Sequence, residues 1–211
     1  MNEIGSIHFK RRNYEKSIKF YAEGLSIARE IGDKKGEANG LANISLIHQT
    51  RGNYNRALTF IKQAQRIRIE IGDLHGEANN LNDIARIQTK LGEFTKALES
   101  YTTNLAIYRN IKHQEMEAQS LYNLGTIYTL LGNYELAHES FTASLSILKI
   151  IKFSRGAAYV YSGMGDAYFA SAEQIDAEKY YGRAVKIFSG LTNEEEYLFS
   201  IKSKQATIYH R

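Results

Sequence analysis

The sequence repeats itself with a period of 40 residues, and this period restricts the possible folds more than any other feature of the chain. The segment that starts at Gly32-Asp33 returns, little changed, at Gly72-Asp73. Two apolar columns recur in five copies, namely Ile27, Ile67, Ile107, Ile147 and Ile187, and Ile31, Ile71, Ile111, Ile151 and Leu191. A period of this length indicates supersecondary units that stack on one another to bury a shared core.

Each unit is predicted to contain two amphipathic helices separated by a glycine turn. The first helix, about 37–50 in the clearest copy, carries Leu41, Ile44, Ser45 and His48 on one face. The second helix, about 55–71, carries Ala57, Ile61, Ala64, Ile67, Arg68 and Ile71 on one face. These spacings follow the helical period of about 3.6 residues. Gly52 lies between the two helices, where the left-handed backbone that glycine tolerates ends a helix.

A column of small residues marks the predicted contact between helices. Its members are Gly5, Ser45, Ala85, Gly125 and Gly165. Small side chains allow a neighbouring element to approach the helix backbone closely, so we expect tight packing at these positions. Gly163 and Gly165 do not form a dinucleotide-binding fingerprint, because no strand precedes them and the third glycine is missing.

One helix pair cannot bury both of its apolar faces, so successive pairs are expected to stack. We therefore predict an all-α fold, a right-handed superhelical solenoid of antiparallel helix pairs. The chain contains no proline, which favours uninterrupted helices. The predicted organisation is a single array over 1–211, divided into a truncated repeat 1–31, repeats 32–71, 72–111, 112–151 and 152–191, and a terminal helix 192–211. Both ends are expected to be cut, and an exposed face of Ile201, Ile208 and Tyr209 is expected to permit self-association.

The third full copy carries a recognisable motif over 121–141. Its pattern is Leu121-x-x-Leu124-Gly125-x-x-Tyr128-x-x-x-Gly132-x-Tyr134-x-x-Ala137-x-x-x-Phe141. This pattern resembles the signature of the tetratricopeptide repeat (TPR) family, although the usual proline near the end of the second helix is absent. The period is longer than the common length of about 34. In this the chain is similar to the arrays of Pins-type polarity adaptors, kinesin light chains and bacterial sensor kinases and regulators.

Residue types that support catalysis or cofactor binding are missing or wrongly spaced. The chain has no cysteine, and its six histidines form no zinc-binding pair. We therefore predict no catalytic residue, no metal, no cofactor and no enzymatic activity. The net charge is +4 and no long basic run occurs, so nucleic acid is not expected as a partner. No segment has the length and apolarity of a membrane span, and a cytoplasmic location is expected.

Polar residues beside the core stripe of each first helix are the candidate binding site. In TPR proteins the residues beside the core stripe face the concave groove, and the resemblance implies the same here. The predicted peptide-binding residues are Asn39, Asn43, Asn79, Asn82, Asp83, Arg86, Lys90, Gln119, Tyr122, Asn123, Asp166 and Phe169. Carboxamides both donate and accept hydrogen bonds, so they suit the main chain of an extended peptide.

These observations predict a non-enzymatic interaction scaffold that binds a peptide or protein segment in its groove. The alternative is a ligand-sensing or peptide-sensing module of a larger signalling protein, such as a sensor kinase or a transcription regulator. In either case the partner is a protein or a peptide, with no role for a membrane surface.

Overall fold

Every regular element in the computed structural model is an α-helix among the residues that the structure describes, 1–192 and 194–208. The helices are α1 (Asn2–Lys10), α2 (Tyr14–Glu30), α3 (Lys34–Thr50), α4 (Tyr54–Glu70), α5 (Leu74–Lys90), α6 (Phe94–Asn110), α7 (Gln114–Leu130), α8 (Tyr134–Ile150), α9 (Ser154–Ala170), α10 (Gln174–Phe188) and α11 (Glu195–Ile208). The chain forms two compact units, Met1–Ile107 and Tyr108 onward. They are called unit 1 and unit 2 below.

The helix boundaries follow the repeat of the sequence. The odd-numbered helices α3 to α9 are the first helices of successive repeats, and α4 to α10 are the second helices. Consecutive helices pack as pairs, and the short loops between them make the pairs antiparallel. The predicted fold class, an all-α TPR-type solenoid of helix pairs, is confirmed.

One predicted boundary is wrong by about a turn. The first helix of the clearest copy starts at Lys34 instead of at residue 37. The reason is an N-terminal cap, because the Asp33 side chain accepts a hydrogen bond of 2.8 Å from the Gly36 N–H. Such a cap satisfies a backbone donor that the first turn leaves unpaired. Asp73 caps α5 in the same way.

At the three glycines of the column of small residues, the first helix meets an aromatic ring of its second helix. A Cβ atom added to Gly125 would lie 2.6 Å from the Phe141 ring. Gly5 lies against Tyr21 and Gly165 against Tyr181 in the same way, at 2.6 and 2.5 Å. Each ring comes 16 residues after its glycine. The predicted close packing at these positions is therefore confirmed.

The core of each unit consists of these contacts and the apolar stripes around them. In unit 1 the predicted first-helix stripe is buried, with Leu41, Ile44, Ser45 and His48 all nearly inaccessible to solvent. The His48 ring stacks on Phe60 at a centroid distance of 5.4 Å, and burial lowers the pKa of His48. In unit 2, Phe141, Leu148, Met164, Tyr181 and Phe188 form the core.

Two predicted faces are wrong. Ile71 is not a core residue, because it follows the last residue of α4, at the point where the chain turns, and is 38% exposed. Ile201 and Ile208 are buried instead of exposed, because they pack with Tyr181 and Phe188 in the core of unit 2. Tyr209, the third member of that predicted face, lies outside the described residues. The last helix starts at Glu195, not near residue 192.

The glycine–ring contact predicts opposite effects for two identical substitutions. Gly125→Ala is expected to destabilise the protein by about 1–3 kcal/mol, because the new methyl group overlaps the Phe141 ring. Gly182→Ala, within α10, meets no atom within 4 Å and is expected to stabilise the helix by about 0.5–1 kcal/mol. Urea denaturation followed by circular dichroism measures both values. Equal effects of the two substitutions would contradict the packing described here.

Candidate functional site

The twelve predicted peptide-binding residues all lie on first helices, and we call the first-helix surface that carries them in each unit the lane of that unit. In unit 1 the lane belongs to α3 and α5, and in unit 2 it belongs to α7 and α9. None of the twelve is buried, since each is either half-buried or exposed. The lane is therefore a solvent-accessible face of both units, beside the core stripe of each first helix.

In unit 1, Arg86 connects the two first helices. Its Nη2 donates hydrogen bonds to Gln49 Oε1 on α3, at 2.8 Å, and to Asp83 Oδ1, at 3.0 Å. Burial raises the pKa of Asp83, although the Arg86 cation acts in the opposite direction. Arg86 has five N–H donors, so these two bonds leave others free for a ligand. Lys90 is exposed one turn further along α5.

The lane carboxamides of unit 1 differ in how they are bonded. Asn39 accepts a hydrogen bond of 2.6 Å from Arg68, and Asn79 bonds to the His75 ring at 3.1 Å. Asn43 is half-buried and makes no side-chain hydrogen bond with the described residues. Its amide group is thus available both to donate to and to accept from a bound main chain. Asn82 lies half-buried on α5.

Arg68 is a site residue that the sequence analysis placed only in the core. It lies on the second helix α4, is buried, and also forms an ion pair with Asp73. Burial raises the pKa of Asp73, but the Gly76 N–H and the Arg68 cation outweigh it and lower that pKa overall. The sequence did carry a signal for a special role of Arg68, because it is the one charged residue in its column of the 40-residue repeat. The other members are Ala28, Tyr108, Leu148 and Phe188.

In unit 2 the lane contains an apolar pocket. Its volume is about 180 Å³, and its lining residues are Glu115, Met116, Ala118, Gln119, Tyr122, Ser144, Leu148, Phe153, Gly156, Tyr159 and Val160. The Tyr122 ring lies 5.9 Å from the Phe141 ring, and burial raises the pKa of Tyr122. Leu148 occupies the repeat position that Arg68 has in unit 1. A shorter, apolar side chain at this position leaves room for the pocket.

Gln119 lines this pocket, and the other polar lane residues of unit 2 lie further along α7 and on α9. Gln119 donates a hydrogen bond of 3.2 Å to Asn123 on the same helix. Asp166 accepts a bond of 2.7 Å from the Tyr181 hydroxyl and pairs with Lys204 of α11, at 2.8 Å to each carboxylate oxygen. The carboxylate of Asp166 is therefore already neutralised within the unit. Phe169 is half-buried one turn further along.

The contacts of α11 and the residue before it with α9 were not predicted. Lys204 reaches Asp166, and Glu194, which is buried just before α11, pairs with Arg155 at 2.8 Å. Glu194 also accepts a bond of 3.3 Å from the Tyr159 hydroxyl. The sequence carries little signal for these contacts, because the last segment departs from the repeated columns.

Neither metal-site geometry nor a membrane-spanning element is present in the part of the chain that the structure describes. Its histidine, aspartate and glutamate side chains form no group of three or more that is placed to hold a metal ion. Within the same residues, no helix is long and apolar enough to cross a bilayer.

Comparison with known families identifies the class of the protein. The family model of the tetratricopeptide repeat matches residues 1–70 and 76–150, so the chain belongs to the TPR family. No curated protein matches the sequence.

Solved structures share the fold at low sequence identity. The apo form of RapI superposes with a TM-score of 0.88 at 18% identity, over 99% of this chain and 76% of that chain. BtubC from P. vanneervenii gives 0.79 at 18% identity, over 93% and 83%. A STAND signal-transduction ATPase with a TPR sensor, from Pyrococcus horikoshii, gives 0.84 at 21% identity, over 99% of this chain but 32% of that one.

The electrostatics of the lane give a prediction for Asp83. Replacement of Arg86 by glutamine removes the cation that lowers the pKa of Asp83, so this pKa is expected to rise further above its ordinary value. An NMR titration of the carboxyl carbons measures the change. Arg29→Gln is the control, because Arg29 pairs with Glu37 and not with Asp83. A pKa of Asp83 that stays constant or falls in the Arg86 variant would contradict this arrangement.

Proposed function

We propose that this protein is a non-enzymatic interaction module that binds an extended peptide or protein segment along the lane. One observation carries the proposal. The first helices of both units present accessible carboxamides, and in unit 2 these lie beside an apolar pocket of about 180 Å³. Together they supply hydrogen bonds for a main chain and a cavity for a side chain, which is how grooves commonly recognise extended peptides.

The first helices of the two units, each unit taken by itself, offer a ligand different chemistry. In unit 1, the amide of Asn43 donates to and accepts from the ligand main chain, while Lys90 and the remaining donors of Arg86 attract acidic side chains. In unit 2, an aliphatic or aromatic side chain enters the pocket beside Tyr122. Burial of such a side chain contributes about 1.5–3 kcal/mol, so the pocket supplies much of the affinity.

Membership of the TPR family supports this proposal, since TPR domains generally bind proteins or peptides and generally act as non-catalytic scaffolds. The function that follows is to hold a partner segment in place. Affinity per contact is modest, and specificity comes from the pocket and from the charges of unit 1.

A sensory role is the second candidate. It is favoured by the structural likeness to a STAND ATPase that has a TPR sensor, at a TM-score of 0.84. In that role the bound ligand changes the conformation of the array and thereby the output of an attached domain. Small-angle X-ray scattering of the free and the ligand-bound chain separates the two candidates, because only the sensor changes its radius of gyration on binding.

A pull-down from source-cell extract tests the lane as the binding surface. The test variant carries Asn43→Ala, Asn82→Ala and Asn123→Ala, which remove three lane carboxamides from three first helices. It is expected to retain at most about a tenth of the partner captured by the parent chain. The loss of roughly three hydrogen bonds of about 0.5–1.5 kcal/mol each accounts for this reduction.

The matched control removes the same chemistry from second helices. It carries Asn55→Ala, Gln63→Ala and Asn110→Ala, three exposed carboxamides on α4 and α6. Circular dichroism must show that both variants are folded. A partner retained by the test variant and lost by the control would exclude the lane and move the binding surface to the second helices.

A further inference from the structure

A second cavity lies in unit 2, on the other side of Leu148 and Phe153, two residues that also line the lane pocket. Its volume is about 650 Å³, within the usual range of about 300–1,000 Å³ for small-molecule sites. It opens between α8 and α10, beside the start of α9, and we call it the α8–α10 cleft. Its lining residues are Thr142, Leu145, Ser146, Leu148, Lys149, Lys152, Phe153, Ser154, Ala157, Tyr161, Ile187, Gly190 and Leu191. No lane residue is among them.

The interior of the cleft is apolar and its rim is cationic. Leu145, Tyr161 and Leu191 contribute half-buried apolar surface. Lys149 and Lys152 stand at the opening, and both are exposed. Neither lysine forms an ion pair with the described residues. Apolar walls and two lysine cations without an ion-pair partner suit a ligand that has an apolar body and an acidic end.

The repeat explains why Lys149 lacks a partner. At two other junctions between a second helix and the next first helix, the equivalent cation pairs with a glutamate eight residues later. Arg29 bonds to Glu37 at 2.8 Å, and Arg109 bonds to Glu117 at 2.9 Å. At the α8–α9 junction the residue eight positions after Lys149 is Ala157. The built-in carboxylate is therefore missing, and the short side chain of Ala157 leaves space in its place.

We infer that the α8–α10 cleft binds a small carboxylic acid with an apolar body, such as a medium-chain fatty acid. The ligand carboxylate pairs with Lys149 and so takes the place of the glutamate found at the α2–α3 and α6–α7 junctions. Its hydrocarbon body lies along Leu145, Tyr161 and Leu191, where it removes apolar surface from water. The site contains none of the twelve lane residues, although Leu148 and Phe153 line both this cleft and the lane pocket.

Calorimetric titration of the full chain with decanoate, below its micellar concentration, tests the inference. The wild-type chain is expected to bind one decanoate. Lys149→Gln is expected to weaken binding by about tenfold, because it removes a charge-assisted contact. Ala157→Glu is expected to weaken it at least as much, because the new carboxylate pairs with Lys149 as Glu117 pairs with Arg109.

Two controls make the result specific to the cleft and to the acid group. Lys186→Gln removes an exposed lysine of α10 that does not line the cleft, and it should leave the affinity unchanged. Decanol, which has the same chain without the charge, should bind about tenfold more weakly than decanoate. Thermal melting must show that Ala157→Glu is folded, and Lys149→Gln, at an exposed position, provides an independent test.

Three results of these titrations would overturn the inference. They are no binding of decanoate to the wild-type chain, equal affinity in all variants, and equal affinity for decanol and decanoate. Capture of an acidic peptide in the cleft without decanoate binding would also overturn it, because the occupant would then be a protein segment.

Discussion

The contact between a small residue of each first helix and a bulky side chain of its second helix is the interaction on which the rest of the structure depends. Where the small residue is Gly5, Gly125 or Gly165, an aromatic ring lies on the bare helix backbone. A ring buried in this way contributes about 1.5–3 kcal/mol, and the same contact returns with the repeat. This contact fixes the rotation of each first helix about its own axis, because the bulky side chain can approach only the face that carries the small residue.

This rotation determines which residues reach solvent. Once Leu41, Ile44 and His48 pack inward, the neighbouring stripe that contains Asn39 and Asn43 is left half-buried. The same repeat that buries the core stripe therefore also leaves the lane accessible to solvent. Departures within single columns then distinguish one repeat from another. Arg68 in unit 1 occupies the same repeat position as Leu148, which lines the lane pocket in unit 2. Ala157 occupies the repeat position at which two other repeats have a glutamate that pairs with a cation.

The fold was largely predictable because it depends on columns that recur. The helix pairs, the glycine contacts and the first-helix stripe around Leu41 follow from spacing alone. The burial of Ile201 and Ile208 was not predictable, because α11 lacks the repeated pattern and its packing depends on Tyr181 and Phe188. In the lane, the exposure of the predicted residues followed from the helical period. The hydrogen-bond partners of these residues could not be predicted from the helical period, because the bonds of Asn39 to Arg68 and of Asp166 to Lys204 join segments 29 and 38 residues apart.

Binding along the first helices is tested by an NMR measurement of the Asn and Gln side-chain amides in the full chain, with and without the captured partner segment. The amide signals of Asn43, Asn82 and Asn123 are expected to shift or broaden on binding. Those of Asn55, Gln63 and Asn110, which lie on second helices, are expected to stay in place. Shifts confined to the second-helix amides would contradict the central claim that the first helices form the binding surface.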